Sequence, residues 1–197
     1  MSRGFFARPT VDVARDLLGT LLHRDSSDGA TVGRIVEVEA YDGPTDRASH
    51  ARAGLTRRTT PMFGEVGHAY VYLIYGMHNC LNVVAYDSSL APAGAVLLRA
   101  LEPVAGSVLM GARRGRDGEP DSRLCSGPAR LCQAMAVDRS LNAHDLTAGH
   151  GLSLTAGEAI PDSQVATGPR IGVDYAGKWA EKPWRFWIVG HPSLSRR

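Results

Sequence analysis

The chain has 197 residues, of which 44% are hydrophobic, and this size and content favour one compact domain over residues 1–197. The 22 Lys and Arg residues nearly balance the 20 Asp and Glu residues, so the net charge of +2 does not by itself indicate a nucleic-acid partner. Only Lys178 and Lys182 are lysines, so nearly every cation is a guanidinium that can form forked hydrogen bonds to phosphate.

Cysteine usage and the N-terminus indicate the compartment. Cys80, Cys125 and Cys132 are odd in number and lack C-x-x-C spacing, which argues against a disulfide framework and against a zinc knuckle. The N-terminal sequence lacks the continuous apolar segment of a signal peptide, and no uncharged apolar stretch reaches membrane-spanning length. We therefore expect a soluble protein of the reducing cytoplasm, without a membrane partner.

The first predicted element is a helix over residues 11–18, with Thr10 as its N-cap and Gly19 at its end. Strands dominate the following sequence and are separated by short turns, which favours an antiparallel or mixed sheet. These strands are predicted at about residues 20–23, 31–41, 68–75, 79–86 and 94–100.

Residues 33–41, GRIVEVEAY, alternate strictly between two rows of side chains. Glu37, Glu39 and Tyr41 share one row, and the apolar residues between them share the other. The two carboxylates are either ordinary solvated residues of an exposed face or members of a site. The strand leads directly into a loop rich in basic residues, which favours a site.

Residues 68–84, HAYVYLIYGMHNCLNVV, predict two strands joined at Gly76. Tyr75, Met77 and His78 surround the turn, where polar residues are usual. An apolar hairpin tip is either covered by its own domain or inserted into a partner, and proteins that distort DNA insert such side chains between base steps. Both interpretations remain open at this point.

The second half of the chain predicts two further helices. One lies near residues 104–112 and is followed by a loop over residues 113–123 that we expect to be exposed. The other runs from the Ser126-Gly127-Pro128 segment through Ala136, with Ser126 as its N-cap. The three tryptophans near the C-terminus, Trp179, Trp184 and Trp187, are interpreted as core residues rather than as a ligand platform.

Five segments together resemble the alkyladenine (3-methylpurine) DNA glycosylase family, in the same order and with similar spacing. They are GRIVEVEAYDGPTDRASH, HAYVYLIYGMHNCLNVV, VLLRALEP, LCSGPARLCQAMAV and GPRIGVDYAGKWAEKPWRFW. The resemblance covers nearly the whole chain and implies an enzyme that hydrolyses the N-glycosidic bond of damaged purines in double-stranded DNA. It implies neither a metal nor an organic cofactor.

The resemblance implies roles for three catalytic residues. Glu39, in the E-A-Y motif, is expected to deprotonate the attacking water. Arg99 is expected to help hold that water, and Ile171 to contribute a backbone carbonyl to it. The physical chemistry agrees, because a carboxylate can both activate water and stabilise an oxocarbenium-like transition state. Glu37 is kept as a supporting or structural residue.

The remaining implied site residues contact the DNA. The residues expected to bind the flipped-out base are Tyr41, His50, Tyr72 and Asn82. Among them, Asn82 is expected to oppose guanine by crowding its exocyclic amine. Tyr75 is expected to fill the gap left in the duplex, with Met77 beside it, because a base must leave the stack before water can reach its glycosidic bond.

Two alternatives come from different functional classes. A metal hydrolase could be built on Glu39, His50 and a remote histidine, although no H-E-x-x-H arrangement is present. A non-catalytic protein could bind DNA lesions without cutting the bond, although the presence of both Glu39 and Arg99 argues against this. We predict a monomeric, monofunctional glycosylase with an α+β fold: a curved, mainly antiparallel sheet with flanking helices and a protruding, DNA-inserting hairpin.

Overall fold

The computed structural model of the protein describes residues 1–195, and eight strands in this part of the chain form one sheet. The strands are β1 (Leu21–Ser26), β2 (Gly29–Tyr41), β3 (Ala69–Ile74), β4 (His78–Val84), β5 (Ala95–Ala105), β6 (Leu152–Thr155), β7 (Val165–Gly168) and β8 (Arg185–Ile188). Their order is β3-β4-β5-β2-β1-β6, and β8 pairs with both β2 and β7. These pairs are antiparallel, which confirms the predicted α+β fold.

Helices cover the sheet and complete the core. The α-helices of residues 1–195 are α1 (Thr10–Leu17), α2 (Ser107–Arg114), α3 (Asp121–Leu124) and α4 (Pro128–Ala134). Helix α1 packs against β2 and β5, and α4 packs against β4 and β5. Short 3-10 helices at His50–Ala53, Arg139–Leu141 and Asp174–Trp179 lie in the connections. No helix of the described residues is both long enough and apolar enough to cross a membrane.

Strand β2 is the centre of the sheet. It pairs with β5 along one edge, and with β1 and then β8 along the other. The register between β2 and β5 shifts on both sides of Glu37, which is the mark of a β-bulge. The predicted strict alternation is therefore wrong at this point: Ile35 and Val36 are adjacent, yet both are fully buried in the main core.

Two predicted helix caps are wrong because their hydroxyl groups bind elsewhere. Thr10 is the first residue of α1, and its Oγ1 donates to the Ala85 carbonyl at 2.9 Å. Helix α4 begins only at Pro128, and the Oγ of Ser126 donates to the Arg123 carbonyl at 3.2 Å. In both cases a contact outside the helix takes the place of an N-cap hydrogen bond.

The helix predicted near residues 104–112 begins later than expected. Strand β5 continues through Pro103, which lies opposite Gly33, and ends at Ala105. Gly106 follows with φ of 78°, a left-handed conformation that suits glycine and separates the strand from α2. The unusual length of β2 therefore extends its partner strand into the predicted helix.

The prediction of an exposed loop over residues 113–123 is wrong at both of its ends. Helix α2 continues to Arg114, and α3 begins at Asp121. The Arg113 side chain is only 8% exposed, and its Nε and Nη2 donate to the two carboxylate oxygens of Asp28 at 2.9 and 2.8 Å. A forked ion pair thus fixes the start of this segment against the turn between β1 and β2.

Candidate active site

The two glutamates of β2 are buried, so the interpretation of an ordinary solvated face is wrong. Glu39 is fully buried and Glu37 is 1% exposed. A buried carboxylate requires paired charges and hydrogen-bond donors, because its desolvation is costly. Both glutamates have such partners, but the two sets of partners differ.

The Glu39 carboxylate is fixed by three groups from three segments. Its Oε1 accepts a hydrogen bond from the Ile171 backbone N–H at 2.7 Å and lies 3.1 Å from Arg99 Nη1. Its Oε2 accepts from the Tyr41 hydroxyl at 2.8 Å. Burial, followed by the Glu39 charge, raises the pKa of Tyr41 well above 10, so this phenol stays protonated and remains a donor.

Glu37 is held by a separate set of donors. Arg99 Nε and Arg185 Nη1 lie 3.1 and 3.3 Å from its Oε1. The backbone N–H and the Oγ of Ser195 donate to the carboxylate at 2.7 and 2.8 Å. The two glutamates and the two arginines form a charge-balanced quartet in which Arg99 bridges both carboxylates. Glu37 therefore anchors Arg99 beneath Glu39.

A cavity of about 370 Å³ opens above Glu39. Its lining includes eight of the nine residues that the resemblance assigned to the site: Glu39, Tyr41, His50, Tyr72, Tyr75, Asn82, Arg99 and Ile171. Glu37 is not part of the lining. Cavities that bind small organic ligands are usually apolar with a few fixed polar groups, and this one combines aromatic walls with a single carboxylate.

The wall on the β3 side is aromatic. The rings of Tyr70 and Tyr72 lie 5.3 Å apart, and the His50 ring meets Tyr72 edge-on with ring centres 4.6 Å apart. His50 Nδ1 lies 3.1 Å from the Tyr70 hydroxyl. Burial, together with the nearby Arg58 cation, lowers the pKa of His50 from 6.5 to about 4. The imidazole is therefore neutral near pH 7.

Asn82 contributes a fixed polar group to the same wall. It lies opposite Tyr70 in the β3–β4 pair, and its Nδ2 donates to the Tyr70 carbonyl at 3.0 Å. This hydrogen bond orients the side-chain amide, which is 3% exposed at the cavity. An amide held in this way can discriminate between ligands by shape and by hydrogen bonding.

The hairpin between β3 and β4 ends in an exposed apolar tip. Tyr75 and Met77 are 85% and 70% exposed. Tyr75 and Gly76 have φ of 54° and 72°, and the Met77 N–H donates to the Ile74 carbonyl at 3.2 Å, which closes a tight turn. Two consecutive positive φ angles are typical of the turn that matches the twist of a hairpin. The alternative in which this tip is covered by its own domain is wrong.

A second buried ion pair lies behind the site and was not predicted from the sequence. The Arg170 guanidinium donates to both carboxylate oxygens of Asp46, at 2.5 and 2.9 Å, and also to the Ala40 carbonyl at 2.8 Å. Its centre lies 4.8 Å from the Tyr41 ring centre. Arg170 also directly precedes Ile171 in the chain. The Asp46–Arg170 pair therefore lies next to both Tyr41 and Ile171, the two residues that donate hydrogen bonds to Glu39.

Sequence reasoning also missed Arg58 and Tyr175 in the cavity lining. Arg58 belongs to the basic loop after β2, but nothing in that loop distinguished it from its neighbours. The interpretation of Trp179, Trp184 and Trp187 as core residues is wrong, because all three are only half-buried; Trp184 packs against the edge of the main core and Trp179 against a smaller buried cluster, and none of the three lines the cavity. Within residues 1–195, no three His, Cys, Asp or Glu side chains lie close enough together to hold a metal ion.

Comparison with known proteins identifies the family. The family model for methylpurine-DNA glycosylase matches residues 4–192. A Methanocella arvoryzae protein, named only as a candidate 3-methyladenine DNA glycosylase, is 47% identical over 100% of this chain and 96% of its own length. The DNA-3-methyladenine glycosylases of mouse and human are 45% and 43% identical over 97% of this chain, which spans 60% and 66% of their lengths. With a family match over nearly its whole length, this chain belongs to the methylpurine-DNA glycosylase family.

Proposed function

We propose that the protein is a monofunctional DNA glycosylase that flips an alkylated or deaminated purine out of duplex DNA and hydrolyses its N-glycosidic bond. The observation that carries this proposal is the Glu39 carboxylate. It is buried, held by Arg99, Tyr41 and the Ile171 N–H, and it faces a cavity whose walls are aromatic. The products are a free base and an abasic site in an intact strand.

In this proposal Glu39 is the general base. A carboxylate has about four acceptor positions, and the contacts of Glu39 leave capacity for a water molecule on the cavity side. Water attacks the sugar C1′ and gives a proton to Glu39, while the electron pair of the glycosidic bond leaves with the purine. The negative charge of Glu39 also stabilises the positive charge that develops on the sugar.

The aromatic side chains of the cavity suit a purine that carries a positive charge. Alkylation at N3 or N7 makes the ring cationic, and a cation over an aromatic face gains roughly 0.5 to 2 kcal/mol. Tyr41 and Tyr72 supply such faces. Because His50 is neutral near pH 7, its imidazole does not repel a cationic base. A cationic purine also departs as a neutral molecule, so it needs no proton from an acid.

The exposed tip supports base flipping. Tyr75 lines the cavity mouth and also projects into solvent, as expected of a side chain that replaces an extruded base in the stack. Met77 belongs to the same turn and is 70% exposed. A duplex whose minor groove accepts this tip brings the displaced nucleotide to the cavity.

Strand cleavage through a Schiff base is not expected, because it needs an amine at the sugar. Lys178 and Lys182 do not line the cavity. The N-terminal amine of Met1 donates to the Leu154 carbonyl at 3.0 Å on strand β6, and Met1 is likewise absent from the lining. This favours a hydrolase with water as the only nucleophile.

The test is single-turnover release of base from duplexes that carry one hypoxanthine or one alkylated adenine. We expect wild-type protein to release the free base and to leave an intact, alkali-labile strand, with or without a chelator. Glu39→Gln should lose about 100- to 10,000-fold in rate, the usual contribution of general-base catalysis, and should still bind the lesion. Borohydride should trap no covalent protein–DNA adduct.

Other results would contradict the proposal in distinct ways. Tight lesion binding by wild-type protein without base release would favour the non-catalytic lesion-binding protein. Loss of activity with chelator would indicate a metal hydrolase. A borohydride-trapped adduct would show an amine nucleophile, and full activity of Glu39→Gln would remove Glu39 from the mechanism.

A further inference from the structure

A second concave surface lies beside the cavity, along the outer edge of β3. It has a volume of about 570 Å³ and is lined by Arg57, Arg58, Val71, Tyr72, Leu73, Arg139 and Asn142. We call it the β3 groove. Its three arginines are exposed, and among residues 1–195 none of them has a carboxylate partner within ion-pair distance. Three unpaired guanidinium groups around one groove favour an anionic ligand.

The backbone of β3 adds polar groups to this groove. Strand β3 is the edge of the sheet. The N–H groups of Ala69 and Val71 point away from β4, because they donate to the His144 carbonyl and to Asn142 Oδ1 at 2.8 and 2.9 Å. By the alternation of an antiparallel strand, the Leu73 N–H faces the same side, next to the arginines. A backbone donor flanked by guanidinium groups is suited to a phosphate oxygen.

We propose that the β3 groove binds successive phosphates of the DNA strand that carries the flipped nucleotide. This rests on the proposed function. Arg58 and Tyr72 line both the groove and the cavity, so the two surfaces are separated by one layer of side chains. The phosphates next to a nucleotide that enters the cavity must lie at its mouth, and the groove begins there. The opposite strand has no such connection to the cavity.

The position of Arg58 links phosphate binding in the β3 groove to the selection of the base in the cavity. Its guanidinium lies 5.3 Å from the centre of the Tyr72 ring, on the wall that receives the base. Without a counter-ion, this cation opposes the entry of a positively charged purine. A phosphate in the β3 groove neutralises it, so that backbone binding and acceptance of a cationic base are coupled.

The test uses Arg57→Gln/Arg139→Gln, which removes two groove cations that do not line the cavity. The matched control is Arg116→Gln/Arg123→Gln, which removes two exposed arginines near α2 and α3; among the described residues neither has a carboxylate partner. The segment they belong to packs against α4 and β5 rather than β3. Both pairs change the net charge equally, so any difference between them reflects position.

The measurement is the affinity for a duplex with one central, uncleavable abasic-site analogue, determined by fluorescence anisotropy at several salt concentrations. Each phosphate contact contributes about 0.9 to the slope of log K against log salt concentration, so the groove variant should lose about 1.8 of slope while the control keeps the wild-type slope. Equal losses in the two variants, or a wild-type slope in the groove variant, would overturn the proposal.

A third arm separates this proposal from the proposed function. Base release by the wild-type protein is measured on a lesion duplex of the same sequence. Absence of release, together with a reduced slope in the groove variant, would leave phosphate binding in place and remove the glycosylase activity. Normal base release, together with an unchanged salt slope in the groove variant, would leave the glycosylase activity in place and overturn phosphate binding by the β3 groove. Circular dichroism melts of both double variants check that each protein folds.

Discussion

Arg99 contacts Glu39 and is itself fixed from behind. Its Nη1 lies 3.1 Å from Glu39 Oε1, while its Nε lies 3.1 Å from the buried carboxylate of Glu37. One guanidinium therefore joins a carboxylate that faces the cavity to one that does not. The two glutamates occupy neighbouring positions in the same row of β2 but differ in role. Glu39 lines the cavity and can reach a ligand, whereas Glu37 holds Arg99, which orients Glu39.

The first prediction concerns the stability of these two positions. Glu37→Gln should lower the free energy of unfolding by about 3 to 5 kcal/mol, because it leaves buried cations uncompensated and replaces an acceptor of the Ser195 N–H. Glu39→Gln should cost less, since Glu39 pairs with Arg99 alone and Glu37 still compensates that cation. Urea unfolding at pH 7 measures both values. Equal losses would contradict the division of roles between Glu37 and Glu39.

The burial of Glu37 and its partners could not be predicted from the sequence pattern of β2. The pattern of β2 identified the row of Glu37, Glu39 and Tyr41, but alternation alone could not tell a solvated row from a buried one. The deciding partners of Glu37 are Arg185 and Ser195, which lie 148 and 158 residues further along the chain. No local pattern encodes contacts of that separation. The resemblance supplied the choice of Glu39, and the structure supplied the reason that Glu37 differs.

The errors in the predicted elements have a related origin. Thr10 and Ser126 have the right residue type for N-caps, yet each lies one position away from the actual cap, and each hydroxyl group binds a carbonyl outside its own helix. The β-bulge at Glu37 and the extension of β5 through Pro103 depend on pairing between distant strands. Local propensity therefore predicted the types of most elements, while tertiary hydrogen bonds set their ends and their irregularities.

The second prediction is a pH dependence that arises from His50. Burial and Arg58 lower the pKa of His50 to about 4 in the folded protein, whereas the unfolded chain has the ordinary value of 6.5. The unfolded state therefore binds a proton first as the pH falls. His50 should contribute full stability above about pH 6.5, and this contribution should be lost as the pH falls through about 4.

A His50→Gln variant tests the origin of this effect. Its free energy of unfolding should vary less steeply between pH 6.5 and pH 4 than that of the wild type. Titration of the imidazole resonances by NMR gives the pKa of His50 directly. A folded-state pKa near 6.5, with parallel stability curves for the two proteins, would contradict the prediction and would also remove the argument that His50 is neutral beside a cationic base.

The third prediction concerns the ion pair between Asp46 and Arg170. Asp46→Asn leaves a fully buried guanidinium with its charge uncompensated, so we expect a loss of about 3 to 5 kcal/mol in the free energy of unfolding. Arg170 also donates to the Ala40 carbonyl and lies under the Tyr41 ring. Displacement of Arg170 should therefore disturb the hydrogen bond from Tyr41 to Glu39.

Two measurements separate this positioning effect from simple loss of stability. The base-release rate of Asp46→Asn is measured at a temperature where denaturant curves show the protein to be fully folded. It should remain about 10-fold or more below the wild-type rate, because a small displacement of a group that acts on the substrate, the role proposed for Glu39, is costly. Wild-type rates under those conditions would limit the role of Asp46 to the core. The Asp46→Glu variant, which keeps the charge, should recover part of both losses.

The last prediction concerns the exposed hairpin tip. Tyr75→Asn keeps the positive φ that the turn requires, because asparagine tolerates this conformation, but it removes the ring. Since Tyr75 is 85% exposed, the free energy of unfolding should change by less than about 0.5 kcal/mol. Base release from duplex DNA should fall by about 10- to 100-fold, since unstacking a base costs a few kcal/mol and the ring no longer fills the gap.

Two comparisons make this result specific to base flipping. Release of the same lesion from single-stranded DNA should fall much less in Tyr75→Asn, because little stacking has to be broken there. Leu90→Asn removes an apolar side chain that is 72% exposed in the turn before β5, and it should release base from duplex DNA at the wild-type rate. Equal losses on single-stranded and duplex substrates would mean that Tyr75 acts as a wall of the cavity, which it also lines, rather than as a wedge in the duplex.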